Sequence, residues 1–171
     1  MNKHLDLTLV ANSQIAKAIA TLFLVVFFII VSQDLAAQQK YIGKYRHLAD
    51  SLSQNYGIPT CIILGVALLE SGSGTSRNCK LLNNHFGIVG KNNLMKTKGI
   101  KTRYKQYPSA HASYVDFCKV VARKKFYKEL KDNKDYKLWV DAMSAAGYSE
   151  VPDQWKAKVI ATIQKNNLFA Y

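Results

Sequence analysis

Thr60-Cys61-Ile62-Ile63-Leu64-Gly65-Val66-Ala67-Leu68-Leu69-Glu70, followed by Ser71-Gly72-Ser73-Gly74, is the stretch on which the architecture turns. Its apolar residues fall on every side of a helix, and a helix without a polar face has to lie at the centre of a domain. The Ser-Gly repeat ends the helix and opens a loop. Glu70 therefore sits at the C-terminal end of a core helix. Desolvation disfavours its charged form, and the negative pole of the helix repels it. Both effects raise its pKa, as a general acid working near neutral pH requires. A solvated helix-end glutamate is the ordinary reading of such a residue. The small residues after it tip the balance, because they leave open space beside the carboxyl for a ligand.

On either side of this stretch the chain reads as further helices and one basic lobe. From Tyr41 to Tyr56 the apolar residues Tyr41, Ile42, Tyr45, Leu48, Ala49 and Leu52 recur at helical spacing, and Gly57 with Pro59 stops them. Between Lys96 and Tyr107 the period changes. Ile100, Thr102 and Tyr104 alternate with Lys101, Arg103 and Lys105, which predicts a strand with one cationic face. Gly87, Gly90 and Gly99 punctuate the region, so a small hairpin lobe is expected. Helical spacing resumes after Pro108, with Ser109 as N-cap. A helix over Asp135–Ala146 is closed by Gly147, and a last one covers Pro152–Asn167. The expected fold is α+β and mainly α, with a small basic β-hairpin lobe.

The N-terminus suggests export. Ala18 to Val31 is a 14-residue uncharged, mostly apolar run after Lys3 and Lys17. A membrane-spanning helix needs about 20 such residues and a signal-peptide core about 7–15, so residues 1–37 read as a signal peptide rather than a stable span. Cleavage is expected after Ala37, residues 32–40 being the linker, and residues 38–171 form one domain. Loss of residues 1–37 removes two cations (Lys3, Lys17) and two acids (Asp6, Asp34), so the domain keeps the whole net charge of +13. Such a charge predicts affinity for polyanions. Export to the periplasm or beyond argues against nucleic acid and for an acidic wall polymer.

Four segments then carry a family likeness. Gly57-Ile58-Pro59, Ala67-Leu68-Leu69-Glu70-Ser71-Gly72-Ser73-Gly74-Thr75-Ser76, Asn83-Asn84-His85-Phe86-Gly87-Ile88 and Ala146-Gly147-Tyr148 resemble, in order, the glucosaminidase family of peptidoglycan hydrolases, glycoside hydrolase family 73. The resemblance covers about Tyr41 to Leu168. It implies a lysozyme-like fold and cleavage of the β-1,4 bond between N-acetylglucosamine and N-acetylmuramic acid in peptidoglycan strands. It puts the general acid on Glu70 and a catalytic tyrosine on Tyr148, with Asn84 and Phe86 beside the sugar cleft. One departure stands out: the family often has a second acid in the lobe, whereas nothing acidic lies between Glu70 and Asp116, a stretch that holds eight Lys and Arg. Asp116, within a helix, reads by default as a solvated charge. A non-catalytic glycan-binding module is the alternative that this absence favours.

Other constellations point to binding or to the core. Lys101 and Arg103 are candidates to hold the acidic glycan, and Tyr104, Tyr107 or Tyr148 to stack on sugar rings. Trp139 and Trp155 fall on helical core stripes. Cys61 with His85 or His111 is a weaker candidate for a cysteine-peptidase pair, and Cys79 with Cys118 for a disulfide. The histidines lack the spacing of a metal site, so no metal or cofactor is expected. The domain is expected to act as a monomer.

Overall fold

The computed structural model describes residues 3–170, and the backbone alone of residues 3–16, 18, 30 and 31. Helix α1 covers Lys3–Tyr56, and the chain divides into two units at Ala37/Gln38, where cleavage is expected. Residues 32–40, read from the sequence as a linker, are helical and contain the boundary between the two units. In the first unit, the charged start of the expected signal peptide, with Lys3 and Asp6, lies outside the residues whose side chains are described. The stretch from Ile19 is long and apolar enough to cross a membrane, with mean hydropathy 2.3, a test that a signal sequence passes equally.

The second unit, residues 38–171, is built around α2 (Thr60–Ser71). As its all-round apolarity requires, Thr60 to Leu68 are buried without a break. Gly72 ends the helix at φ 54°, in the left-handed region that a glycine enters without a Cβ clash. Helix α8 (Pro152–Lys165) packs on it, and α7 (Tyr136–Ala145) packs on α8. The α2–α8 approach is close: a Cβ on Gly65 would meet Ile163 at 2.6 Å. A 3₁₀ turn at Leu168–Ala170 places Leu168 against the same core. Helix α5 (Ala110–Ala122) begins at Ser109, whose hydroxyl accepts from the Ala112 N–H, and it contributes Tyr114, Phe117 and Val121 to the core. Two short helices, α3 (Arg77–Leu82) and α6 (Tyr127–Leu130), have no apolar period long enough to announce them.

The basic lobe departs from the expected hairpin. Leu94–Lys98 form a single helical turn, α4, closed by Gly99 at φ 66°. Among the described residues the β-structure reduces to one isolated antiparallel bridge, Val89 to Tyr104. The alternation of Ile100, Thr102 and Tyr104 is real, but no neighbouring sheet offers a second face on which to bury it, and a lone two-stranded pair is marginal in water. Three backbone hydrogen bonds, Lys105 to Ile88, Gly90 to Arg103 and Gln106 to Lys91, join the two segments, and asparagine side chains supplement them. The Asn92 amide donates to the Thr102 and Tyr104 carbonyls, and the Asn84 amide to those of Ile88 and Lys105. The fold is therefore mainly α with an irregular basic lobe.

Candidate active site

Glu70 lies in the wall of an open cleft of about 740 Å³, half-buried at the end of α2. Burial pushes its carboxyl above the usual glutamate range, and a hydrogen bond from the Trp155 indole N–H to Oε1, 2.8 Å long, pulls partly back. Trp155 enters from α8, so the helix pair that forms the core also orients the acid. Across from it, Gly87 stands at φ 66°, and a Cβ there would come 3.1 Å from Glu70 Oε2. This glycine is needed twice, for its backbone and for the space it leaves beside the carboxyl.

Tyr148 follows the left-handed Gly147 (φ 71°) just beyond α7. Its backbone N–H donates to the Met143 carbonyl and its hydroxyl to the Phe86 carbonyl, 3.1 Å each. The ring rests on Trp155 at 5.0 Å between centroids. Burial, and then the nearby Glu70 charge, hold the Tyr148 hydroxyl well above its usual pKa, so it stays a neutral donor. Glu70, Trp155 and Tyr148 thus form one contiguous cluster, of which sequence reasoning placed only Glu70 and Tyr148 at the site. Trp155 was read as core. It is that as well, and helical spacing gives no sign that its indole N–H points at a carboxylate.

The other candidates separate into two groups. Phe86, Arg103 and Tyr104 line the cleft together with Glu70 and Tyr148. Phe86 shows the cleft little of its ring, which stacks on Phe117 at 4.2 Å inside the core. Asn84 and Lys101 are not among the lining residues. Asn84 is 1% exposed and spends its amide on four backbone groups, accepting from the Phe86 and Ile88 N–H besides its two donations. It therefore shapes the loop that carries Phe86 and Gly87. Lys101 is exposed on the lobe. Arg103, exposed at the rim, pairs with Glu150 at 3.0 Å and lies over the Tyr104 ring at 5.6 Å.

Three sequence readings change. Asp116 is not solvated: it accepts from Lys105 Nζ at 2.8 Å and from the Tyr107 hydroxyl at 2.7 Å. Burial raises its pKa, but these two bonds together with the charges of Lys105 and Arg123 outweigh burial and hold the carboxyl below the ordinary aspartate range. Tyr107, buried and committed to Asp116, is not free to stack on sugar. Cys61, Cys79 and Cys118 are all free thiols, each buried.

The peptidase reading fails on charge. Burial raises the Cys61 thiol to about 11 and lowers His85 to about 4, Lys44 adding to the latter. Neither is poised for an ion pair. His85 instead joins a buried cluster, bonded to the Tyr41 hydroxyl at 2.6 Å, which in turn accepts from Tyr114. No group of metal-ligating side chains forms among the described residues.

A mainly helical domain that holds one desolvated acid in the wall of an open groove fits a glycoside hydrolase, and its likeness to known proteins points to the same class. Residues 46–168 match the Glucosaminidase family, described as mannosyl-glycoprotein endo-beta-N-acetylglucosaminidase, and the chain belongs to that family of glycoside hydrolases. It is 27% identical over 157 residues to the exo-glucosaminidase LytG of Bacillus subtilis, covering 82% of this chain and 55% of LytG. The chain thus spans about half the length of that relative. The catalytic domain of the autolysin Auto from Listeria monocytogenes superposes with a TM-score of 0.65 at 25% identity, over 79% of this chain and 87% of the other. The glycoside hydrolase domain of FlgJ from Salmonella typhimurium shares the fold, with a TM-score of 0.60 at 22% identity over 78% and 90% of the two chains.

Proposed function

We propose that the chain is an exported peptidoglycan hydrolase that cleaves the β-1,4 bond between N-acetylglucosamine and N-acetylmuramic acid, with residues 1–37 as its signal peptide. The carrying observation is the Glu70 carboxyl in the cleft wall, whose pKa burial raises, the direction that a general acid giving a proton to the leaving glycosidic oxygen requires.

Two carboxyl groups are the usual requirement, about 5–5.5 Å apart for retention or about 6.5–9.5 Å for inversion. The lobe supplies none, since its only charged groups are cationic. Glu150 lines the cleft but is 81% exposed and engaged by Arg103. The substrate offers the missing nucleophile. The 2-acetamido oxygen of N-acetylglucosamine attacks its own anomeric carbon as Glu70 protonates the departing oxygen, and water then opens the cyclic intermediate. Intramolecular attack has effective molarities of about 10⁵–10⁸ M, enough to replace an enzyme carboxylate. Tyr148, neutral and beside Glu70, hydrogen-bonds the acetamido group or faces the developing cation.

Digestion of purified sacculi by residues 38–171, followed by identification of the new reducing end, tests this reading. Reducing N-acetylglucosamine with retained configuration is the expected product. Reducing N-acetylmuramic acid makes the chain a muramidase, an inverted anomer removes the acetamido nucleophile, and binding without release makes it a glycan-binding module.

A further inference from the structure

Two cations line the cleft, and their situations differ. Arg103 Nη2 is neutralised by Glu150 Oε1 at 3.0 Å, both side chains standing in solvent at the rim. Lys124, just past the end of α5, is half-buried within the lining. Among the described residues its ammonium donates one long hydrogen bond, Nζ to the Ala146 carbonyl at 3.4 Å, and takes part in no ion pair. The cleft acids are otherwise engaged: Glu70 accepts from Trp155 and Glu150 from Arg103. An ammonium that lines a groove, tethered weakly to the loop that carries Tyr148 and paired with no acid there, can take a ligand carboxylate in a charge-assisted bond.

We infer that Lys124 is the specificity residue of the cleft, holding the carboxylate that distinguishes an acidic muramoyl glycan from a neutral N-acetylglucosamine polymer. The inference rests on the reading of the cleft as a peptidoglycan site. The two sugars of the repeat differ by the 3-O-lactyl group, whose carboxyl is free in peptide-stripped strands and amide-linked to a carboxylate-bearing peptide in intact ones. A neutral amide or hydroxyl donor at position 124 would bind both kinds of chain alike. A cation prefers the acidic one, and more so where the wall of the groove excludes water. Lys124 is missed by motif reading because it lies in the run Arg123-Lys124-Lys125, whose neighbours are exposed and which reads as a solvated charge cluster.

The test compares binding by the full chain carrying Glu70→Gln, so that no ligand is turned over, in three further backgrounds: Lys124→Met, Lys124→Arg and Lys125→Met. Three ligands are titrated: a chito-oligosaccharide, a peptide-stripped glycan fragment and a peptide-bearing one. Lys124→Met is expected to weaken binding of an acidic fragment about tenfold, the loss of one charge-assisted bond, and to leave the chito-oligosaccharide unchanged. Lys124→Arg should restore most of the loss, and Lys125→Met, the same change in net charge outside the lining, should change neither. A loss confined to the peptide-bearing fragment assigns the carboxylate to the peptide, a loss confined to the peptide-stripped one assigns it to the lactyl group, and a loss on both means that Lys124 takes either carboxylate. Equal weakening of neutral and acidic ligands reduces Lys124 to a prop for the Ala146–Tyr148 loop and overturns the inference, as does no weakening at all. Since only binding is read, discrimination by Lys124 together with no release of sugar by the chain with Glu70 intact would refute the hydrolase and leave this inference standing.

Discussion

Replacing Trp155 by Phe should extend activity toward higher pH while lowering its peak. The indole N–H donates to Glu70 Oε1 at 2.8 Å, a bond to the charged form of the acid that opposes the desolvation otherwise raising its pKa. A hydrogen bond to a charged group contributes about 1.5–3 kcal/mol, and one pKa unit is about 1.4 kcal/mol. Glu70 is only half-buried, so water recovers part of the loss, and the lower figure applies: about one unit upward. A general acid is lost as pH rises through its pKa, so the alkaline limb of the profile should move up by about one unit. The peak should fall, because Trp155 also supports the Tyr148 ring and Phe fills its site incompletely. Initial rates of clearing of a dilute sacculus suspension, followed from pH 4 to 9, read both effects. An unmoved alkaline limb, or one shifted downward, would show that Glu70 is not the acid titrating there, or that the indole does not bias it.

Gly87→Ala should reduce turnover on the order of tenfold with little loss of glycan binding, since a left-handed alanine costs about 1–2 kcal/mol and its Cβ presses on Glu70; unchanged turnover would mean the carboxyl has room to move. Tyr148→Phe removes the hydroxyl bonded to the Phe86 carbonyl and should lower the rate by about ten- to a hundredfold with native near-UV circular dichroism, and a rate equal to wild type would take the hydroxyl out of the mechanism. Asp116→Asn should leave turnover within a few-fold but destabilise the fold by about 1 kcal/mol, a figure reduced for the partial exposure of Lys105. Because the Asp116 pKa is depressed in the folded chain, its contribution is present above the unfolded value of about 3.9 and is lost as pH falls through the lower folded value. The melting temperatures of mutant and wild type should therefore differ at pH 7 and converge below about pH 4, and a gap that persists in acid would contradict the ion-pair account.

Much of this was legible in the chain because the deciding features are local. An all-apolar helix ending in Glu-Ser-Gly announces both the core and the acid at its edge, and Ser109 caps α5 as its position before a periodic run suggests. What was not legible depends on groups distant in sequence. Asn84 and Phe86 were placed beside the sugar, but Asn84 is consumed by four backbone groups that only the folded lobe brings around it. Asp116 reads as solvated from its helix alone, since its partners Lys105 and Tyr107 precede that helix on an irregular segment. The strand alternation of the lobe was genuine but had no sheet to join, so tertiary context gave a bridge and a helical turn. Trp155 was assigned half of its role, because periodicity reports burial and not the direction of an N–H.

The central claim is that the proton delivered to the glycosidic bond comes from Glu70. Muropeptide release from sacculi, measured for wild type and Glu70→Gln at the pH optimum, tests it most directly. The amide keeps the shape of the side chain and accepts the Trp155 bond, but has no proton to give. Release should fall by about 10²–10⁴, the usual contribution of a general acid, while sedimentation with sacculi is unchanged. A Glu70→Gln chain that still releases muropeptides at a tenth of the wild-type rate or more would contradict the account.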